Sequence, residues 1–136
     1  MVINMHEITV PAKVEHLDKV FSFIEKSVSE ANMDKKYGNN LRIAVEEIFV
    51  NIADYAYSHN DGDVTISVSV SSSNITVEFK DKGIKFNPLE KDDPDTTLSA
   101  DEREIGGLGI FMVKELVDDI SYRYEDGSNI LTIVIS

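Results

Sequence analysis

Apolar positions recur along this chain with a spacing that changes from two residues to three or four and back again, and the changes mark out strands and helices. Ile3, Met5, Ile8 and Val10 alternate loosely between Val2 and Val10, and Pro11 closes a first strand suited to a sheet edge. Val14, Leu17, Val20, Phe21, Ile24, Val28 and Ala31 then fall at helical intervals from Lys13 to Asn32, with the polar side toward water. Gly38 and Asn39 break that pattern before a second helix. Its buried stripe is Leu41, Ala44, Val45, Ile48 and Ile52, which leaves Glu47, Asn51 and Asp54 on a neighbouring face.

Beyond the turn cluster Asn60-Asp61-Gly62-Asp63, Val64, Ile66, Val68 and Val70 alternate with Thr65, Ser67 and Ser69, as a half-buried strand requires. Ser71 to Asn74 supply a hairpin turn, and Ile75, Val77 and Phe79 carry the alternation to Asp81, which is thereby placed at a strand end. From Ile84 to Ile105 periodicity is lost. Pro88, Pro94 and the run Glu90-Lys91-Asp92-Asp93 leave nothing from which to build a core, so a long loop covering a site is expected. A helix from Leu108 to Asp118 buries Ile110, Val113, Leu116 and Val117. Two closing strands follow, Ile120 to Tyr124 and Ile130 to Ile135, around Asp126-Gly127.

Composition narrows the possible functions. The 136 residues, 42% of them hydrophobic, suffice for one domain and make a second improbable, so residues 1–136 are read as a single unit. Twenty-five acidic residues against 13 basic give a formal net charge of −12, which repels a phosphodiester backbone or an anionic lipid surface; neither nucleic acid nor membrane is an expected partner. A polyanionic ligand such as ATP has to be met by local backbone dipoles and a divalent cation, for which Mg2+ is the natural candidate. The absence of cysteine excludes disulfides, thiolate catalysis and cysteine-ligated metal. His6, His16 and His59 fall on different elements without ligand spacing. No basic region precedes an apolar run at the N-terminus, and no stretch reaches the ~18 apolar residues of a membrane span, so a cytoplasmic location is expected.

Three separated segments carry candidate chemistry. On the second helix Glu46-Glu47-x-x-x-Asn51 sets a carboxylate and a carboxamide on one face. The Asn51 amide oxygen is a hard ligand suited to Mg2+, and Glu47, one turn earlier, can orient and deprotonate an attacking hydroxyl or water. Taken alone, the same residues describe a helix with solvated acidic side chains. Asp81-Lys82-Gly83 follows a strand: a carboxylate accepts from an exocyclic amine, which fits adenine and not guanine, and Gly83 leaves room for a base, although an ordinary turn favours the same residues. Gly106-Gly107-Leu108-Gly109 opens a helix and offers unpaired N–H groups to phosphate oxygens, or else a simple hinge. It lacks the lysine and hydroxyl residue of a Walker loop and the spacing of a dinucleotide fold.

Taken together these segments resemble the Bergerat-fold (GHKL) ATP-binding proteins, and among them the small bacterial anti-sigma factor serine/threonine kinases. Ala44 to Ala53 looks like that family's N box, Asp81-Lys82-Gly83 with Phe86-Asn87-Pro88 like its adenine box and onward loop, and Gly106-Gly107-Leu108-Gly109-Ile110 like its second glycine box. The resemblance implies an α+β fold, a two-layer sandwich of a mixed, mostly antiparallel sheet with helices on one face and a nucleotide lid over roughly 84–105. It implies ATP and Mg2+ as cofactors, Glu47 as general base, Asn51 as Mg2+ ligand and Asp81 as adenine reader, with Gly83, Gly106, Gly107, Leu108 and Gly109 around the nucleotide. It further implies phosphorylation of a serine on a small anti-sigma factor antagonist, sequestration of a sigma factor, and a homodimer.

The sequence departs from the family pattern where Lys85 replaces the last glycine of Asp-x-Gly-x-Gly. Near the adenine, Ser128, Asn129 and Thr132 all stand as candidates for a polar contact. The competing function is a non-catalytic nucleotide-binding module that regulates another protein by binding it. A stand-alone histidine kinase fits less well, because no dimerising helix with a phosphoacceptor histidine precedes the ATP region.

Overall fold

A computed structural model describes residues 2–33, 38–57, 60–90 and 107–136. His59, Gly106 and residues 91–105 of the expected lid lie outside the described residues. Among the described residues five strands form one sheet: β1 (Val2–Pro11), β2 (Asp63–Ser71), β3 (Ile75–Asp81), β4 (Asp119–Glu125) and β5 (Ser128–Ile135), in the order β1-β2-β3-β5-β4. All four pairings are antiparallel. Three α-helices accompany them among the described residues: α1 (Leu17–Glu30), α2 (Asn39–Tyr55) and α3 (Gly107–Leu116). This is the expected α+β arrangement, and β1 is an edge strand as its closing proline suggested.

Strict alternation in β2 and β3 turns Val64, Ile66, Val68, Val70, Ile75, Val77 and Phe79 inward, where they are fully buried with Ile24, Leu41, Val45, Ile48 and Phe49 from the helices. Arg42 of α2 lies 4.2 Å from the Phe21 ring centroid of α1 and 3.3 Å from Glu25, so a cation–π contact and an exposed ion pair supplement the apolar packing of the two helices. Among the described residues no helix is long and apolar enough to cross a membrane.

Two expectations need correction. The apolar pattern of β1 runs through both Met5 and Ile8, which cannot share a face of a regular strand. The structure selects the even positions: His6, Ile8 and Val10 sit opposite the buried Val68, Ile66 and Val64, and Met5 is 66% exposed. A register irregularity between Val2 and Asn4 accompanies this choice. The first helix is also shorter than its apolar pattern. A 3-10 turn, Val14–His16, precedes it, and Asn32 at φ 58° ends it, with Met33 N–H bonded to Val28 O (2.8 Å) and Asn32 N–H to Ser29 O (3.0 Å), a Schellman stop.

At the other end of the sheet the β4–β5 hairpin turns through Asp126 (φ 52°) and Gly127 (φ 78°), which suits a tight antiparallel connection. Ser128, the first residue of β5, is 1% exposed, and its Oγ has no hydrogen-bond partner among the described residues. A buried unpaired hydroxyl destabilises the fold, so Ser128→Ala is expected to raise stability by about 1 kcal/mol. A shift of the urea midpoint to higher concentration would show it; a shift to lower concentration would mean the hydroxyl is paired in solution.

Candidate functional site

Helix α2 carries two of the candidate residues on one side. Glu46 is exposed, while Glu47 and Asn51, four residues apart, are half-buried. Glu47 turns toward α3: a Cβ built on Gly109 would meet its Oε2 at 2.6 Å. The carboxylate thus nests in a hollow that exists only because residue 109 has no side chain. It lies in the first turn of α3, where the positive end of the helix dipole attracts an anion. Two of the three separated motifs therefore meet through a specific pair of residues.

The far end of α2 meets the third motif. The N–H of Ile84 donates to the carbonyl of Ala56, just beyond α2, at 2.7 Å. At Gly83 the room left by the missing side chain is filled, because a Cβ there would collide with the backbone oxygen of Ala56. The approach of α2 thus requires a glycine here on packing grounds alone. Gly83→Ala is expected to cost about 1–3 kcal/mol through forced separation of the two segments; thermal unfolding would record it as a lowered midpoint.

Asp81 ends β3 and is 6% exposed. Its Oδ1 accepts from Gly83 N–H (2.9 Å) and from Asn129 Nδ2 (3.0 Å), and no described residue donates to its Oδ2. Asn129 stands directly across from Asp81 in the β3–β5 register and shares its face with Leu131 and Ile133, the core-facing side. Parity thus separates the three candidates left open on β5: Asn129 reaches the aspartate, whereas Ser128 and Thr132 project from the opposite face. The Asn129 amide also donates to Ile84 O (2.9 Å), and its Oδ1 accepts from Phe86 N–H (3.1 Å) and from the Tyr122 hydroxyl (2.6 Å).

A second tyrosine secures the other flank. The Tyr57 hydroxyl donates to Asp63 O (2.6 Å) and accepts from Lys82 N–H (2.9 Å), tying the start of β2 to the residue after Asp81. Burial raises the Tyr57 phenol above its ordinary value of 10.0, with Lys82 N–H opposing the rise and the charges of Asp81 and Asp63 adding to it. Burial likewise raises Tyr122, with Phe86 N–H acting the other way and Asp81 adding. Both hydroxyls therefore keep their protons at neutral pH and serve as donors. Neither tyrosine was singled out from sequence. For Tyr122 the available signal was its place in the alternation of Ile120, Tyr122 and Tyr124.

Beyond this point the expected lid is only partly described. Residues 84–90 end in a 3-10 turn, Pro88–Glu90, and Leu89 packs against the core, contrary to the expectation that this segment contributes nothing to it. Lys85, which replaces the family glycine, extends over β4 with its Nζ 4.9 Å from the Tyr124 ring centroid.

A family model described as a histidine kinase-like ATPase domain matches residues 10–135. The serine-protein kinase RsbW of Listeria monocytogenes serovar 1/2a is 27% identical over 136 residues, spanning 94% of this chain and 87% of the relative. The serine-protein kinase RsbW of Staphylococcus aureus strain JH9 is 27% identical over 135 residues, spanning 91% and 82%. Among solved structures, the RsbU and RsbW domains of Rv1364c from Mycobacterium tuberculosis superpose with a TM-score of 0.66 at 15% identity; the match covers 96% of this chain and 32% of that one, a likeness of fold.

Proposed function

Because this chain belongs to the histidine kinase-like ATPase domain family, we propose that it is an ATP-dependent protein serine/threonine kinase of the anti-sigma factor type. It transfers phosphate to a serine of a small anti-sigma factor antagonist and sequesters a sigma factor, acting as a cytoplasmic homodimer. The names of its relatives support this reading. The observation that carries its catalytic half is the Glu47 carboxylate lying against Gly109 in the first turn of α3.

The residues present fit ATP with Mg2+. Asp81 offers a carboxylate oxygen that no described residue uses, in a nearly buried setting where a donor from the ligand would be needed. The missing side chain at Gly109 lets the Glu47 carboxylate lie against the first turn of α3, beside the glycine-rich segment. When bound, the nucleotide and its metal supply the transferable phosphoryl group and the charge that neutralises its oxygens. Asp81 would accept from the exocyclic amine of adenine, Asn51 would hold Mg2+ through its amide oxygen, and the glycine-rich segment Gly106, Gly107, Leu108 and Gly109 would offer backbone N–H groups to the phosphates. Gly83 allows α2 and the adenine box to close on the ligand. Glu47 orients the incoming serine hydroxyl and takes its proton.

Incubation with Mg-ATP and the antagonist domains of the same organism, followed by mass spectrometry, is expected to reveal one phosphoserine that requires both ATP and the divalent ion. ATP binding without any phosphoserine would instead identify a non-catalytic module that regulates its partner by binding.

A further inference from the structure

The carboxamide of Asn129 is saturated. Its two N–H groups go to Asp81 Oδ1 and Ile84 O, and its oxygen takes Phe86 N–H and the Tyr122 hydroxyl, which uses the full capacity of an amide side chain. The orientation of the amide follows from its partners: a carboxylate and a carbonyl only accept, and a backbone N–H only donates, so oxygen and nitrogen cannot exchange. At 7% exposure, with no valence left, Asn129 has nothing to offer a base directly. Its effect lies in what it holds. Together with Gly83 N–H it loads one oxygen of Asp81 twice and leaves the other to face a ligand.

We propose that Tyr122 and Asn129 are positioning residues which brace Asp81 and the Ile84–Phe86 backbone, and that this brace sets the preference for 6-amino over 6-oxo purine nucleotides. The inference rests on the reading of this site as an ATP site. A carboxylate held in one orientation accepts from a 6-amino group and repels a 6-oxo oxygen placed at the same point. A carboxylate free to turn relieves that repulsion by accepting from the ring N–H of the 6-oxo base. Discrimination therefore depends on rigidity as well as on charge. Tyr122 reaches Asn129 diagonally across the β4–β5 pair, within the range that an aromatic side chain spans. Its hydroxyl is the one member of the brace that can be removed without altering a strand contact.

The test is the ratio of dissociation constants for ITP and ATP, measured by calorimetry in Mg2+ for the unsubstituted protein, Tyr122→Phe and Asn129→Ser, with melting temperatures alongside. Tyr122→Phe is expected to narrow the ratio about three- to tenfold, as one partly buried hydrogen bond allows, mainly through weaker ATP binding and with little change in melting. Should Tyr122→Phe melt early, Asn129→Ser reads the same ratio. A purely structural role would weaken both nucleotides alike and keep the ratio at its original value, and that result in both variants would overturn the proposal. Failure of the unsubstituted protein to bind ATP would remove the function reading and this inference together, whereas clear ATP selectivity untouched by either variant would remove this inference alone.

Discussion

Glu47→Ala is expected to lower phosphoryl transfer by about 10²–10⁴-fold, the usual contribution of a positioned general base, while ATP affinity holds or rises. The second half follows from the structure. The Glu47 carboxylate lies in the first turn of α3, against Gly109, and a negative charge there opposes the phosphates assigned to the same turn. Removing it takes away a repulsion together with the base. Single-turnover phosphorylation of the antagonist, paired with equilibrium binding of ATP, separates the two effects. Parallel loss of transfer and binding would refute the role of Glu47 as a base and make it a binding residue.

Asp81→Asn is expected to weaken ATP about ten- to a hundredfold, equivalent to the ~1.5–3 kcal/mol of a hydrogen bond to a charged group. The direction comes from the orientation of the carboxylate. Gly83 N–H and Asn129 Nδ2 both donate to Oδ1, so an amide at position 81 must keep its oxygen there. Its NH2 then takes the place of Oδ2 and meets the amino group of adenine donor to donor. The same geometry makes ITP binding strengthen relative to ATP. Calorimetry with the two nucleotides tests both statements, and unchanged ATP affinity would exclude Asp81 from base recognition.

Local pattern carried much of this architecture. The alternation of Val64 to Val70 and of Ile75 to Phe79 placed Asp81 at the end of a strand, because period two fixes both face and register once one side is buried. The stripe of α2 likewise put Glu47 and Asn51 together. Pattern failed at β1, where Met5 and Ile8 give conflicting parity and only pairing with β2 decides. It also left the polar residue of β5 undecided, since the Asn129–Asp81 bond joins positions 48 apart in sequence and depends on register across two strands. At Gly83 the residue type was legible and its cause was not: the crowding comes from Ala56, on another element.

Helix α2 has a further consequence as a ruler. Nine positions separate Glu47, which touches the start of α3, from Ala56, which accepts the backbone bond of Ile84 beyond β3. At the helical rise this is a fixed gauge of about 13–14 Å. Inserting one residue within it would lengthen the gauge by about 1.5 Å and swivel one end against the other by about 100°. The base and the adenine reader proposed above would then no longer face one ligand, even though every side chain assigned to the site was still present.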